Sequence, residues 1–310
     1  MKVIFMGTPE FAVPILDILH FHHQVTLVIS QPDQFNQRKK AAISPPVIQY
    51  AKLKGIVFLQ PEKIKDDIDK IMTYPADIIV TAAYGQFVPK KLIDYPRYKA
   101  INVHGSLLPK YRGGAPIQWA IINGDTATGI SIIYMTPKMD AGDILAQRRI
   151  SITDWDTQDS MFYKLSQLGR EMILSVIDDI ACGAITLKKQ DPAAVSYAYN
   201  LTKSDELIDF TLPARSVFNK IRGLNSNPGA YFNLEGMNIK VFGSKVLSDK
   251  SSYPPGIITK VGKDFFNVSC GGDTVISITE IQLPGKKRMD VRDFLNGKGR
   301  YLIKEAKEIK

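Results

Sequence analysis

The first hundred residues alternate short apolar runs with segments of helical periodicity, and this alternation narrows the possible folds more than any other feature of the chain. The runs are KVIFM from Lys2, QVTLVIS from Gln24, GIVFLQ from Gly55, ADIIVTAAY from Ala76 and AINVH from Ala100. A strand-helix-strand alternation of this length implies a mostly parallel sheet with right-handed crossovers and helices on both faces, a Rossmann-like α/β arrangement. ADIIVTAAY is apolar almost throughout, as a strand buried on both faces should be. At the first turn, Thr8 suits an N-cap with Pro9 at the first helical position, leading into FAVPILDILHF. Gly7 alone is not a dinucleotide fingerprint, so that class of ligand is not indicated. Further helices are expected over Val47–Lys54, over Pro61–Thr73 and through Leu92.

The last of these runs opens the stretch AINVHGSLLPKYR, Ala100 to Arg112. Alternate side chains of a strand share a face, so Asn102 and His104 project together, roughly 7 Å apart along the chain. Pro109 removes a backbone donor and restricts Leu108, so the chain turns at once into a loop. Loops at the C-terminal ends of such strands are where open α/β sheets bind ligands. Taken alone, a strand-end histidine serves as readily in a structural hydrogen bond. Beyond Arg112 come a short helix ending at Asn123-Gly124, a strand TGISIIYM, and a second strand after the turn MDAGD. Asp140 and Asp143 lie in that turn, where local backbone capping is sufficient reason for an aspartate. Asp156 or Thr157 then caps a long helix whose stripe Met161, Leu165, Leu168, Met172 and Val176 is core, ended by Gly183.

From Lys188 to about Glu206 the periodicity lapses, which divides the chain into domains at 1–188 and 207–310 with a linker at 189–206. After one helix over Ala214–Leu224, the second domain alternates short strands with turns: AYFNLEG, NIKVFGSKVL, GIITKV, FFNVSC and TVISITEIQL. That pattern predicts a small OB-like β-barrel. The chain carries 40 basic and 31 acidic residues, net +9, and 17 of the basic against 10 of the acidic fall in Leu207–Lys310. Such asymmetry suits a polyanionic partner, nucleic acid above all. Two local basic clusters stand out, Arg38-Lys39-Lys40 in a long polar loop and Lys286-Lys287-Arg288 after the last strand. Cys182 and Cys270 have no partners at metal or disulfide spacing, and no run is apolar for about 18 residues, so a cytoplasmic protein without metal or membrane anchor is expected. A monomer is the default expectation, which no residue pattern decides.

No serine or cysteine nucleophile constellation, phosphate loop or metal motif is present. What remains is Asn102, His104 and an acid supplied from elsewhere, a set suited to acyl-type transfer without a covalent enzyme intermediate. An amine attacking a carbonyl builds negative charge on oxygen, to which an Asn amide and a His ring can both donate. A neighbouring carboxylate would orient the imidazole, which gains and loses protons near neutrality.

The residues AINVHGSLLPKYRGGAPIQWAIINGD and MDAGDI resemble the N-x-H-x-SLLP and D-x-GD signatures of the folate-dependent formyltransferases. The segments FMGTPEFAVP, QPD, AAYGQFVP and LPGKKRM are similar to the branch of that family that formylates methionyl-tRNA, over nearly the whole chain. The resemblance implies formyl transfer from 10-formyltetrahydrofolate, a co-substrate, to the amine of methionyl initiator tRNA. A small-amine acceptor, a nucleotide or sugar nucleotide, is the alternative. Asn102, His104 and Asp140 match the family's catalytic residues. Ser106, Leu107, Leu108 and Pro109 match its folate-contacting loop, and Tyr84, Gly85, Gln86, Phe87, Val88 and Asp143 are expected to line the pterin pocket. Arg38, Lys39, Lys40, Lys286, Lys287 and Arg288 are expected to meet the tRNA. Two departures from the family are Gln37-Arg38-Lys39-Lys40-Ala41 in place of a glycine-flanked basic loop, and Asn225-Ser226-Asn227-Pro228 in place of a Trp-containing turn.

Overall fold

The structure, a computed structural model, describes residues 1–36 and 41–309. Arg38, Lys39 and Lys40 therefore lie outside the described residues. Contacts divide the chain into two compact units: residues 1–116, 127–151 and 162–199 form one, and residues 117–126, 152–161 and 200–310 the other.

The first unit is built on a seven-stranded sheet in the order β5-β2-β1-β6-β7-β8-β9. Its strands are β1 (Lys2–Gly7), β2 (Gln24–Ile29), β5 (Phe58–Leu59), β6 (Ile78–Ala82), β7 (Ala100–His104), β8 (Ala127–Tyr134) and β9 (Ile144–Ser151), while β3 (Gln34–Asn36) and β4 (Ala41–Ile43) pair separately. β5, β2, β1, β6 and β7 run parallel, and β8 and β9 are added antiparallel at one edge. Its helices are α1 (Val13–His22), α2 (Pro46–Lys54), α3 (Ile68–Ile71), α4 (Lys90–Ile93) and most of α6 (Gln158–Cys182), while nearly all of α5 (Pro116–Ile122) and the whole of α7 (Ala214–Gly223) fall in the second unit.

The central strands are buried on both faces. Ile4 and Met6 join Leu27, Ile29 and Ile79 in one core cluster, while Val3 and Phe5 alternate with them and are equally inaccessible. Strand order grows from β1 first toward β2 and then, after a crossover, toward β6. The C-terminal ends of β1 and β6 therefore flank the point where the order reverses, the usual ligand crevice of such sheets. β7 ends on the same edge. Its outward residue on the other face, Val103, is covered by α6, where a Cβ on Gly169 would come 3.0 Å from Val103 Cγ1.

Two local expectations are corrected. Thr8 caps no helix: a 3-10 turn (Glu10–Ala12) precedes α1, and the Thr8 hydroxyl instead donates to the Tyr84 carbonyl at 2.8 Å, tying β1's end to β6's across the reversal point. The helix expected over Pro61–Thr73 shrinks to a 3-10 turn (Ile64–Asp66) and α3. In KIKDDIDKI only Ile64 and Ile71 are buried, too little apolar contact to hold a longer helix. Thr157 does cap α6, its Oγ1 accepting from Ser160 N at 3.3 Å while Ser160 Oγ accepts from Thr157 N.

The second unit is an antiparallel sheet in the order β10-β11-β14-β13-β12, with β15 (Met289–Asp290) on β14. Its strands are β10 (Ala230–Leu234), β11 (Met237–Lys250), β12 (Ile258–Val261), β13 (Phe266–Cys270) and β14 (Thr274–Gln282). Phe210, Phe232 and Phe266 meet edge to face in its core, at 6.3 and 6.2 Å between centroids. α7 is fixed by its own first amide, Ala214 N donating to Thr274 Oγ1 at 2.8 Å.

Close pairing of β8 and β9 depends on a residue without a side chain. A Cβ at Gly129 would stand 2.1 Å from the Arg148 carbonyl oxygen, a backbone atom with no room to move. Gly129→Ala is expected to destabilise the protein by about 1–3 kcal/mol, read as a lower urea midpoint at unchanged slope.

Candidate active site

β7 delivers Asn102 and His104 to one face of the sheet's C-terminal edge, and each is then fixed by a different neighbour. Asn102 lies beside Thr81 in the parallel register of β6 and β7. The Thr81 hydroxyl donates to Asn102 Oδ1 at 2.8 Å, which sets the amide so that Nδ2 faces Asp140 Oδ1 at 3.4 Å. His104, only 6% exposed, is held by the main chain: its Nε2 lies 2.9 Å from the Tyr111 carbonyl oxygen. A carbonyl only accepts, so Nε2 carries a proton and Nδ1 is left facing Asp140 Oδ2 at 3.6 Å.

Asp140 reaches this point from the turn between β8 and β9, in a left-handed backbone conformation (φ 48°). Its side chain is 15% exposed, and Oδ2 accepts from Gly113 N at 2.9 Å. Two loops must therefore be held together, 105–115 carrying the Tyr111 and Gly113 groups and 135–143 carrying Asp140. Gln190 joins them. Its Nε2 donates to the carbonyls of Asp140 and Gly142, at 2.7 and 2.8 Å, and its Oε1 accepts from Arg112 Nε and Nη2 at 3.1 and 2.8 Å. Gly142 is packed so tightly that a Cβ would stand 1.7 Å from the Tyr134 carbonyl oxygen.

Several polar groups of the Ser106-Leu107-Leu108-Pro109 turn are taken up by the protein itself. Ser106 Oγ donates to Lys110 O at 2.6 Å, Leu108 N donates to Ser131 Oγ at 3.0 Å, and Leu108 O accepts from Gln147 Nε2 at 2.9 Å. The Leu108 side chain is buried with Ile133 and Ile144, and the Leu108-Pro109 peptide is cis. In the 84–88 segment, Tyr84 and Val88 belong to the core, Gln86 is bound to Ile64 N and to the carbonyls of Pro61 and Glu62, and Gly85 and the 63% exposed Phe87 face outward. Burial raises the Tyr84 phenol well above its ordinary range, and its hydroxyl makes no hydrogen bond. Asp143 is half-buried, its carbonyl accepting from Tyr134 N at 3.1 Å.

Of the residues singled out from the sequence, the structure brings Asn102, His104 and Asp140 to one point. Lys286 and Lys287 are exposed on the second unit, and Arg288 is engaged by Glu280 and lies over the Phe242 ring at 4.6 Å. Among the described residues no cluster could hold a metal ion. Sequence reasoning missed Thr81, Tyr111, Gly113 and Gln190. Thr81 is found only through strand register, and Tyr111 and Gly113 act through backbone atoms that no side chain announces.

Residues 1–177 match the Formyl transferase family and residues 200–299 the Formyl transferase, C-terminal domain family. The chain is 44% identical over 308 residues to the methionyl-tRNA formyltransferase of Listeria monocytogenes serotype 4a, covering 99% of this chain and 98% of that one. It is 44% identical over 301 residues to the methionyl-tRNA formyltransferase of Bacillus licheniformis, covering 96% and 95%. Among solved structures, the N-formyltransferase from Helicobacter canadensis in complex with folinic acid and dTDP-3-aminofucose superposes with a TM-score of 0.70 at 18% identity, covering 90% of this chain and 98% of that one. The sugar 3N-formyl transferase WlaRD gives 0.67 at 18% identity, covering 93% and 99%. At this identity the two structures speak to the fold.

The anchoring of His104 is open to direct measurement. In nitrogen-15 NMR at a pH where the ring is neutral, His104 is expected to be the Nε2-protonated tautomer; an Nδ1-protonated ring would remove the Tyr111 contact.

Proposed function

Because the chain belongs to the formyl transferase family, we propose that it transfers the formyl group of 10-formyltetrahydrofolate to the methionyl amine of initiator tRNA. The observation that carries this reading is the meeting of Asn102 Nδ2, His104 Nδ1 and the Asp140 carboxylate at the end of β7.

In this reading the neutral amine attacks the formyl carbon, a carbon-nitrogen bond forms, and the carbonyl oxygen takes the electron pair. Asn102 Nδ2, held outward by Thr81, donates to that oxyanion, and His104 Nδ1 becomes a second donor once it has taken the amine proton. Collapse then breaks the bond to the folate nitrogen, which takes up the proton the amine has lost. Nε2 of His104 is committed to Tyr111, so the proton passes by Nδ1, the ring nitrogen next to Asp140. Asp140 keeps the ring oriented while the proton is in transit.

The folate donor is assigned to the C-terminal edge of the sheet, between the 84–88 segment and the 106–109 turn. Since Ser106 Oγ, Leu108 N and Leu108 O are already bonded within the protein, the turn's contribution is mainly shape and the surface of Leu107 and Pro109, and Gly85 to Phe87 offer the accessible backbone. Asp143 completes that lining. We assign catalysis to residues 1–188, with 189–206 as the link, and tRNA engagement to the basic residues of 207–310 together with Arg38, Lys39 and Lys40. No described helix is long and apolar enough to cross a membrane, and the activity belongs in the cytoplasm.

The test follows a labelled formyl group from the folate donor to charged initiator tRNA, charged elongator tRNA and small amines such as amino-sugar nucleotides. Transfer to initiator tRNA is expected; preferential transfer to a small amine would replace this reading. His104→Ala should lower turnover by about 10²–10⁴-fold with unchanged circular dichroism. Normal turnover in that variant would take His104 out of the mechanism.

Lys286→Ala/Lys287→Ala is expected to weaken tRNA binding at every sequence alike. It should also flatten the slope of log affinity against log salt by about 1.5, as loss of two phosphate contacts requires. An unchanged slope would remove these lysines from the interface. Arg288→Ala should change the slope less, its guanidinium being already matched by Glu280.

A further inference from the structure

Two tyrosines that catalysis does not use are stacked close to the candidate active site. The rings of Tyr197 and Tyr199 lie 5.6 Å apart between centroids and 6° from parallel. They are 51% and 65% exposed. A pair of rings this exposed can present an aromatic face to a planar group from solution.

The chain path explains why they sit there. Residues 196–198 lie as an extended strap against the loop that anchors His104 and Asp140. Arg112 N donates to Ser196 O at 2.9 Å, Ala198 N to Arg112 O at 2.8 Å, Ala115 N to Ala198 O at 3.1 Å, and Tyr111 N to Ser196 Oγ at 3.0 Å. The strap comes so close that a Cβ on Gly113 would meet the Ala198 carbonyl oxygen at 2.6 Å. Extended geometry sends alternate side chains to opposite faces. Ala198 is accordingly buried at 1% exposure while Tyr197 and Tyr199 share the outer face.

The distance to the chemistry is short. Tyr197 bridges to Arg112, the next residue Gly113 donates to Asp140 at 2.9 Å, and one strand spacing plus one residue step places the Tyr197 backbone within about 12 Å of that carboxylate. The acceptor amine of the proposed reaction is carried on an aminoacyl ester of the 3′-terminal adenosine. A flat base thus arrives about one nucleoside's length from the reacting nitrogen.

We propose that the Tyr197–Tyr199 stack is the platform on which a base of the tRNA's single-stranded 3′ end rests, the terminal adenine first, so that its ester reaches Asn102 and His104. This rests on the tRNA reading above. Stacking on an aromatic face is the common means of holding an unpaired base without reading its identity. A rigid two-ring surface also loses little side-chain freedom when it is covered. The strap's hydrogen bonds make the platform and the catalytic loop one piece, so a base seated on the tyrosines positions the amine.

The experiment compares wild type, Tyr197→Ala/Tyr199→Ala and Tyr197→Phe/Tyr199→Phe in formyl transfer to charged initiator tRNA. The alanine pair should raise KM for the tRNA about tenfold or more, with KM for the folate donor unmoved as the sign of intact folding. The phenylalanine pair, which keeps both ring faces, should stay within about twofold of wild type. Independently of activity, uncharged tRNA with 2-aminopurine as its 3′-terminal base should lose fluorescence on binding wild type and the phenylalanine pair, and keep it with the alanine pair. Active wild type together with an unchanged tRNA KM in the alanine pair overturns the platform and leaves the parent reading standing. Failure of wild type to formylate the tRNA overturns the parent reading instead, and the fluorescence then judges the platform alone: unquenched 2-aminopurine on wild type overturns it.

Discussion

A carboxylate largely withdrawn from water beside a withdrawn imidazole is the constraint around which the first unit is arranged. Neither group can be held there by its own strand. His104 comes with β7, Asp140 comes from the turn beyond β8, and a buried charge lacking donors would destabilise the fold. The solution is a ring of contacts in which Gly113 N satisfies one carboxylate oxygen, Tyr111 O holds the far side of the ring, and Gln190 locks the two loops to each other. The parallel sheet supplies the rigid edge from which all of this projects, and α6 behind Val103 keeps that edge from shifting.

The division of labour at Asn102 follows the same logic. An amide can present either its oxygen or its nitrogen to a substrate, and the two are nearly alike in shape. By donating to Oδ1, Thr81 removes the choice, so the strand register of β6 against β7 decides the chemistry available at the site. A hydroxyl one strand away thus determines which end of an amide can meet a developing negative charge.

Much of this was legible in the sequence, and the reasons why differ from residue to residue. Period-two alternation was enough to put Asn102 and His104 together, and apolar runs separated by helical periodicity were enough for the parallel sheet. The antiparallel strands of the second unit were legible for the same reason. Asp140 was not found by spacing: turn chemistry accounts for an aspartate there, and only the family resemblance singled it out. Gln190 stands 78 positions from Arg112, so their contact exists only once the sheet is assembled. Thr8 and the 61–73 segment were misjudged because local propensity was outweighed by tertiary demand, in one case for a carbonyl needing a donor and in the other for apolar burial that was not there.

The anchor of His104 is a main-chain carbonyl, and its consequence concerns how this loop can change over time. A side-chain partner can be lost by one base change in a gene; a carbonyl oxygen is present whatever residue occupies position 111. The contact is therefore indifferent to the identity of that residue and sensitive only to the path of the chain, which Tyr111 follows at a φ of 64°. Insertions and deletions are the lesions this part of the molecule cannot absorb, whereas single replacements that tolerate the left-handed bend leave the imidazole where it is.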